Sequence, residues 1–397
     1  MNALESIRAL LAEILPANRF QSTRLRGVGE ISSLEDFSAR VPFTTKAEIA
    51  ADFAAHPPYG SNLTYPVERY TRFCQTSGTT AQPLAILDTP ESWQWMLGNW
   101  RRIYREGGVN PGETIYFAFS FGPFLGFWTA FEAAASYGCL CIPGGGLGSA
   151  ARLRAIIAHR ATALCCTPTY ALHLATAAEQ EDVSLAKSAV RKIFVAGEPG
   201  GSVPAVRDRI SAAWNGAEVL DHYGMTEVGP VAFQRTGEPG VLLVNEESYF
   251  AEVIDPQTLA PVAAGALGEL VLTPLGRTAW PLLRYRTGDL VQRDDSGRLL
   301  GGIVGRADDM VVVRGVNIWP SAVDAVVRKI QEIAEYRVTV SHRGEMAEVS
   351  IEIESPDDTA AARLERALAD AFTLRIPVCC VASLPRFELK ARRWNHG

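Results

Sequence analysis

The chain has 397 residues, 47% of them hydrophobic and 21% charged, with a formal net charge of −6. That length exceeds one ordinary core and calls for two or more domains, and the composition is that of a folded enzyme, not a disordered chain. The acidic balance argues against nucleic acid or an anionic membrane surface as partner.

The N-terminal residues 3–15 alternate at helical spacing and carry Glu5 and Glu13, which suits an amphipathic helix and not a signal peptide. Pro42-Phe-Thr-Thr-Lys-Ala-Glu-Ile-Ala50 reads as an N-capped helix start, with Thr44 or Thr45 as the cap. Residues 73–83 follow. There the hydroxyls of Thr76, Ser77, Thr79 and Thr80 crowd around Gly78. Many donors and little bulk are what a phosphate-gripping loop needs, although a plain polar turn has the same composition.

From 85 to 220 apolar strand-like runs (115–120, 140–143, 163–167, 193–196, 218–220) alternate with amphipathic helices near 91–105, 149–159, 169–180 and 203–214. Such alternation predicts parallel sheet covered by helices. The window 115–143 is the most apolar, but Pro123, Glu132 and several glycines break it, so no membrane span is expected. Gly146-Leu-Gly148-Ser-Ala-Ala151 fits a dinucleotide fingerprint, yet the next strand offers no acidic residue to complete it, and a tight strand-to-helix turn accounts for it better.

Residues 228–300 change to short strands (241–244, 250–254, 269–273, 290–293), read as a small β-barrel or distorted sheet. After Asp308 come a strand at 311–314, a helix at 321–333, strands at 336–341 and 347–353, a helix at 359–372 and a last strand at 378–382. The fold class expected is therefore α/β. A large N-terminal domain, 1–307, combines helix-covered, mostly parallel sheets with the small barrel, and a mobile small α+β C-terminal domain, 308–397, follows. The seven cysteines (74, 139, 141, 165, 166, 379, 380) show no zinc-type spacing and read mostly as small buried hydrophobes in a reducing, cytoplasmic compartment.

Four stretches taken together are more specific than any one: the loop at 76–80, Tyr223-Gly-Met-Thr-Glu227, Tyr285-Arg-Thr-Gly-Asp289 and Gly305-Arg-Ala-Asp308. Their order and spacing resemble the adenylate-forming superfamily of acyl-CoA synthetases, peptide-synthetase adenylation domains and luciferases. The 42–60 passage is similar to the segment ahead of the phosphate loop in phenylacetate–CoA ligases. The resemblance covers roughly residues 40–393.

The resemblance implies the site. The loop Thr76, Ser77, Gly78, Thr79 and Thr80 would grip the β- and γ-phosphates of ATP. Its usual lysine is absent, since Ala81-Gln-Pro83-Leu84 stands in that place. Thr226 would bind the α-phosphate and Glu227 would help hold Mg²⁺. Tyr223 would stack on adenine within Asp221-His222-Tyr223-Gly224-Met225, Asp221 would accept from the exocyclic amine, and Gly197, Glu198 and Pro199 would line the other side. Asp289 would take the ribose hydroxyls, assisted by Arg306. Lys390, in a stretch where Leu389 replaces the usual glycine, would be the catalytic lysine of the first step. Asp308 would be the hinge that brings a Gly315 face to the site for the second.

The aromatic run Phe117–Phe131 stands at the position that builds the acid pocket in the families it resembles, though most of its side chains read as core. Phe121, Phe124 and Trp128, with Gly197 and His222, are the candidate lining, and aromatic walls suit a flat aryl acid. If a helix follows a turn at 121–123, Phe124 and Trp128 share a face at i, i+4. The function implied is ATP-dependent activation of a small aryl or arylacetic acid to an acyl-adenylate, then transfer to coenzyme A. The alternatives are a carrier-protein phosphopantetheine or an amine as acceptor and, from another class, a non-catalytic ATP- or AMP-binding regulator. Whether an acyl carrier protein or a second copy of the chain is also a partner is left open.

Overall fold

The computed structural model describes residues 2–76, 83–309, 311–313, 316–343, 346–385 and 393–396. Its largest feature is an eight-stranded sheet in the order Arg298–Leu300, Val241–Val244, Gly229–Phe233, Glu218–Met225, Lys192–Val195, Ala163–Cys166, Thr114–Phe117, Leu140–Pro143. The five strands from Glu218–Met225 onward pair in parallel, as the strand–helix alternation predicts. The other three join antiparallel, starting from the hairpin of Glu218–Met225 with Gly229–Phe233.

Helices cover both faces of the parallel half. On one, Trp93, Met96, Trp100, Ile103 and Tyr104 of helix Pro90–Glu106 pack with Ala130, Ala133 and Ala134 of helix Leu125–Ser136 against Ile115, Phe117 and Phe194. On the other, Leu153, Ile156, Leu174, Val206 and Ile210 close over Leu164, Ile193 and Val219. The caps explain where several helices begin. Thr89 and Thr167 each accept an amide one turn into helices that open on a proline. Thr45 and Glu48 form a reciprocal capping box at the start of helix Lys46–Ala55. The strand-to-helix turn at Gly144–Gly148 feeds helix Ser149–Ala158 directly, which is all that the fingerprint-like glycines need to do.

Of the two readings of 228–300, small barrel or distorted sheet, the second is the one found. It is an open four-stranded antiparallel sheet in the order Tyr249–Ile254, Leu267–Pro274, Tyr285–Gln292, Gly305–Arg306. The Tyr-Arg-Thr-Gly-Asp motif, which its glycine marks as a turn, lies inside a strand. Between Glu269 and Val271 the register slips, so Thr287, Gly288 and Asp289 bulge out opposite Leu270. Gly288 has φ +74°, a conformation that costs glycine little.

Residues 311–396 build a separate core from Val323, Val326, Val327, Ile330, Val338, Ile351, Leu364 and Leu368. Strands Glu335–Arg343 and Met346–Glu354 pair antiparallel, flanked in parallel by Trp394–His396 and Val378–Val381. The helix expected over 321–333 is Pro320–Val327. Beyond it, Ile330 and Ile333 still reach the core from turns. Of the cysteines, Cys74, Cys139, Cys165 and Cys166 are buried and Cys141 is half-buried, whereas Cys379 and Cys380 are exposed on the last-named strand. Among the described residues no helix is long and apolar enough to cross a membrane.

Candidate active site

The site residues gather at the C-terminal ends of the parallel strands, where the sheet switches to antiparallel pairing; open α/β sheets bind ligands at such edges. Strand Glu218–Met225 carries Asp221, His222 and Tyr223 in succession and ends in the tight turn Thr226–Val228. Tyr223 is buried and its hydroxyl donates to Asp289 Oδ2 at 2.6 Å. Arg306 Nη1 donates to the other oxygen, Oδ1, at 3.0 Å. The bulge at 287–289 is what turns Asp289 toward these two partners.

Arg306 faces a second carboxylate as well. Its Nε and Nη2 donate to Asp308 Oδ1 and Oδ2 at 2.9 and 3.1 Å. The three neighbouring carboxylates Asp289, Asp308 and Asp309 hold the guanidinium's pKa above its ordinary value even against burial. Burial, and after it the Asp289 carboxylate, pushes the Tyr223 hydroxyl far above the usual phenol range, so it stays a donor.

Asp221 accepts from the Ser202 hydroxyl and from the His222 amide. Burial is the main influence on it and outweighs these hydrogen bonds, so its pKa is pushed up to about 6. His222 moves the other way. Burial pushes its pKa down to about 3, and its ring stands edge-on to Trp100 at 4.2 Å. Its Nδ1 lies 3.0 Å from the Ala232 carbonyl, which can only accept, so the proton sits on Nδ1. A neutral imidazole at physiological pH is a wall with one acceptor nitrogen, not a cation.

Asp221 yields a pH test. If its carboxylate accepts from a bound adenine, the KM for ATP rises as pH falls below about 6, and Asp221→Asn abolishes that dependence. The stability sign is opposite. A carboxyl whose folded pKa lies above its unfolded value loses stability as pH rises through that interval. Asp221→Asn therefore melts higher than the parent at pH 7 while binding ATP more weakly; thermal melts and ATP titrations at pH 5.5 and 7.5 read both.

Gly197 has φ +90°, and Glu198 accepts the Thr169 amide at 2.7 Å at the start of helix Pro168–Gln180, where a carboxylate is favoured. The Gly197-Glu198-Pro199 loop is thus fixed beside the strand end, with Pro199 exposed.

Thr76 is buried at the base of the loop, where its hydroxyl accepts the Leu84 amide at 3.0 Å and its own amide donates to the Leu84 carbonyl at 3.1 Å. Ser77, Gly78, Thr79 and Thr80 lie outside the described residues, as do Gly315 and Lys390. The Gln75 amide donates to the Pro123 carbonyl at 2.7 Å, which ties the strand entering the loop to the aromatic run. Within that run Phe117 is core. Phe119 stacks on Phe127 at 4.3 Å, and Phe124 occupies the N-cap position of helix Leu125–Ser136 without a side-chain cap hydrogen bond. Phe124 and Trp128 do not pair as the i, i+4 expectation has it: Phe124 meets Phe127, and Trp128 packs on Phe121 and donates to the Gly122 carbonyl.

One site residue was missed by sequence reasoning. Lys46 places Nζ 3.3 Å from Glu227 Oε1. The Thr44 main chain exchanges hydrogen bonds with Arg284 and Arg286, and that fixes the helix start beside the turn. A lysine directly after an N-cap was visible in the sequence; its distant partner was not. The ammonium also shows that the Glu227 carboxylate, 5% exposed, is turned toward a cation. Among the described residues no three metal-type ligands cluster. A single buried carboxylate such as Glu227 would fit Mg²⁺ once nucleotide phosphates bind beside it, since that ion keeps waters and takes substrate oxygens.

A family model described as AMP-binding enzyme matches residues 68–274, and one described as AMP-binding enzyme C-terminal domain matches residues 315–396. The phenylacetate–coenzyme A ligase of Thermus thermophilus is 31% identical over 335 residues, spanning 81% of this chain and 73% of its own. Among solved structures, 2-hydroxyisobutyryl-CoA ligase in its postadenylation state with 2-HIB-AMP aligns at TM-score 0.93 and 28% identity, over 100% of this chain and 90% of that one. In complex with 2-HIB-AMP and CoA in the thioesterification state the same ligase aligns at TM-score 0.74 and 29% identity, over 99% and 88%.

Proposed function

This chain belongs to the family of AMP-binding enzymes and is an AMP-forming acid–CoA ligase, and we propose that its acid is a small aryl or arylacetic carboxylic acid. In the first step a carboxylate oxygen attacks the α-phosphorus of ATP, the bond to the bridging oxygen breaks, and pyrophosphate leaves. In the second, the thiol of CoA attacks the acyl carbon and AMP leaves. Two anions must meet in the first step, so the protein's part is positioning and charge screening. Asp289, held by Tyr223 and Arg306, takes the ribose hydroxyls. Thr226 contacts the α-phosphate, and the loop from Thr76 holds the leaving pyrophosphate. Glu227 would hold Mg²⁺, which when bound would supply positive charge to the phosphates. Lys390 adds a cation in the first step. A cytoplasmic location belongs to the same reading, supported by seven free thiols.

The observation that supports an aromatic acid is the cluster of rings joined to the strand that enters the phosphate loop. Phe119, Phe121, Phe124, Phe127 and Trp128 form a connected series of ring contacts, and the Gln75–Pro123 bond ties them to strand Arg72–Gln75, which enters the loop. Flat rings stack on such walls, and acids longer than about eight carbons outgrow a cavity of this class. Pyrophosphate release from ATP with benzoate, phenylacetate, 2-hydroxyisobutyrate and a C12 fatty acid tests it. Aryl acids are expected to react fastest; faster release with the hydroxy acid or the fatty acid overturns the proposal. Phe124→Ala is expected to raise the KM for the aryl acid about tenfold and to leave the KM for ATP unchanged.

A further inference from the structure

Asp88 and Arg277 are both fully buried. Arg277 donates from Nε to Asp88 Oδ1 at 2.8 Å and from Nη2 to Oδ2 at 2.6 Å, a bidentate pair. Its remaining nitrogen, Nη1, donates to the main-chain carbonyls of Thr226 and Glu227 at 2.8 and 2.9 Å. Two consecutive carbonyls of one tight turn thus face a single guanidinium. Asp88 in turn ends strand Ala85–Asp88, which pairs residue for residue with Arg72–Gln75. Those two strands enter and leave the loop at 76–84. The pair therefore spans the two halves of the site, with the loop-bearing hairpin on one side and the Thr226–Glu227 turn on the other.

We propose that Asp88 and Arg277 are positioning residues for adenylation: Asp88 orients the guanidinium, and Arg277 fixes the Thr226–Glu227 turn at a set distance from the phosphate loop. The assignment rests on the roles given above to Thr226 and Glu227. Physical bookkeeping favours it over a purely stabilising role. Removing two charges from water costs about as much as their attraction returns, so a buried ion pair is a poor source of stability and an apolar pair of similar volume does as well. What an apolar pair cannot supply is two donors to those carbonyls. Without them the turn relaxes, and a displacement on the order of 1 Å in such a site costs about 100-fold in rate.

The test follows from that asymmetry. The double variant Asp88→Leu/Arg277→Met is measured beside the parent protein by thermal melting and by ATP–pyrophosphate exchange with the best acid of the panel. Expected are a melting temperature near the parent's, a kcat for exchange lower by about 100-fold, and little change in the KM of either substrate. Exchange at the parent's rate in the folded double variant overturns the assignment alone. Absence of exchange in the parent with every acid overturns the functional reading, and the assignment with it. Arg277→Lys keeps the charge beside Asp88 but cannot span the carboxylate and both carbonyls, so it is expected to fold and to show the same fall in kcat. Failure of both variants to fold marks the pair as structural and also overturns the assignment.

Discussion

Glu227→Gln is expected to slow adenylate formation by about 10²- to 10³-fold, the cost of losing one pre-placed charge from a phosphoryl-transfer site. The substitution is nearly isosteric. The hydrogen bonds that hold the turn run to main-chain carbonyls, which glutamine keeps, so Thr226 stays in place. What disappears is a carboxylate that is almost wholly buried and already faces the Lys46 ammonium. The readout that separates a metal-holding role from a general loss is the Mg²⁺ dependence. Glu227→Gln is expected to need more Mg²⁺ for half its maximal rate, at an unchanged KM for the acid. Lys46→Met is the matched control: it removes the competing cation, so the Mg²⁺ requirement is expected to fall. A parent-like rate and Mg²⁺ requirement in Glu227→Gln would show that Glu227 holds no metal.

The parts of this site that could be read from sequence are those whose chemistry sits in a short stretch. Tyr223 through Glu227 are consecutive, the strand before them is continuous in its apolar character, and the turn follows directly. The alternation of strands and helices from 85 to 220 is local for the same reason: each helix carries its own apolar stripe and its own cap, as at Thr89 and Thr167. What was not legible depends on partners far along the chain. Neither the Lys46–Glu227 contact nor the Arg277 fork onto Asp88 leaves a periodic trace in sequence. Strand Tyr285–Gln292 is the instructive case. Gly288 ordinarily marks a turn, but here the strand carries residues 287–289 as a bulge opposite Leu270 and pairing resumes at Leu290. The irregularity is the device that aims Asp289. Of the two readings of 228–300, barrel or distorted sheet, the distorted sheet is the one found, because short alternating strands specify pairing edges without specifying closure.

The last expectation concerns the proposed hinge. Arg306 and Ala307 are pinned to the large domain, Arg306 through Asp289 and Ala307 through its amide, which donates to the Gly288 carbonyl at 2.7 Å. Asp308 is the next residue, exposed, with only its carboxylate held by Arg306. Rotation is cheapest just beyond the last pinned residue, where φ and ψ can change without disturbing either core. The chain superposes better on the postadenylation form of 2-hydroxyisobutyryl-CoA ligase than on its thioesterification form. In the two-step reading proposed above, thioester formation requires the small domain to move. Asp308→Pro removes the carboxylate clamp, fixes φ near −65° and deletes a donor. It is expected to leave ATP–pyrophosphate exchange the better preserved half-reaction and to slow transfer from supplied acyl-AMP to CoA by about 100-fold more, the magnitude typical of a misplaced reacting group. Asp308→Ala, which removes the clamp but keeps backbone freedom, is expected to slow transfer far less. Equal losses in both half-reactions for the proline variant, or equal transfer rates in the proline and alanine variants, would place the pivot elsewhere in the chain.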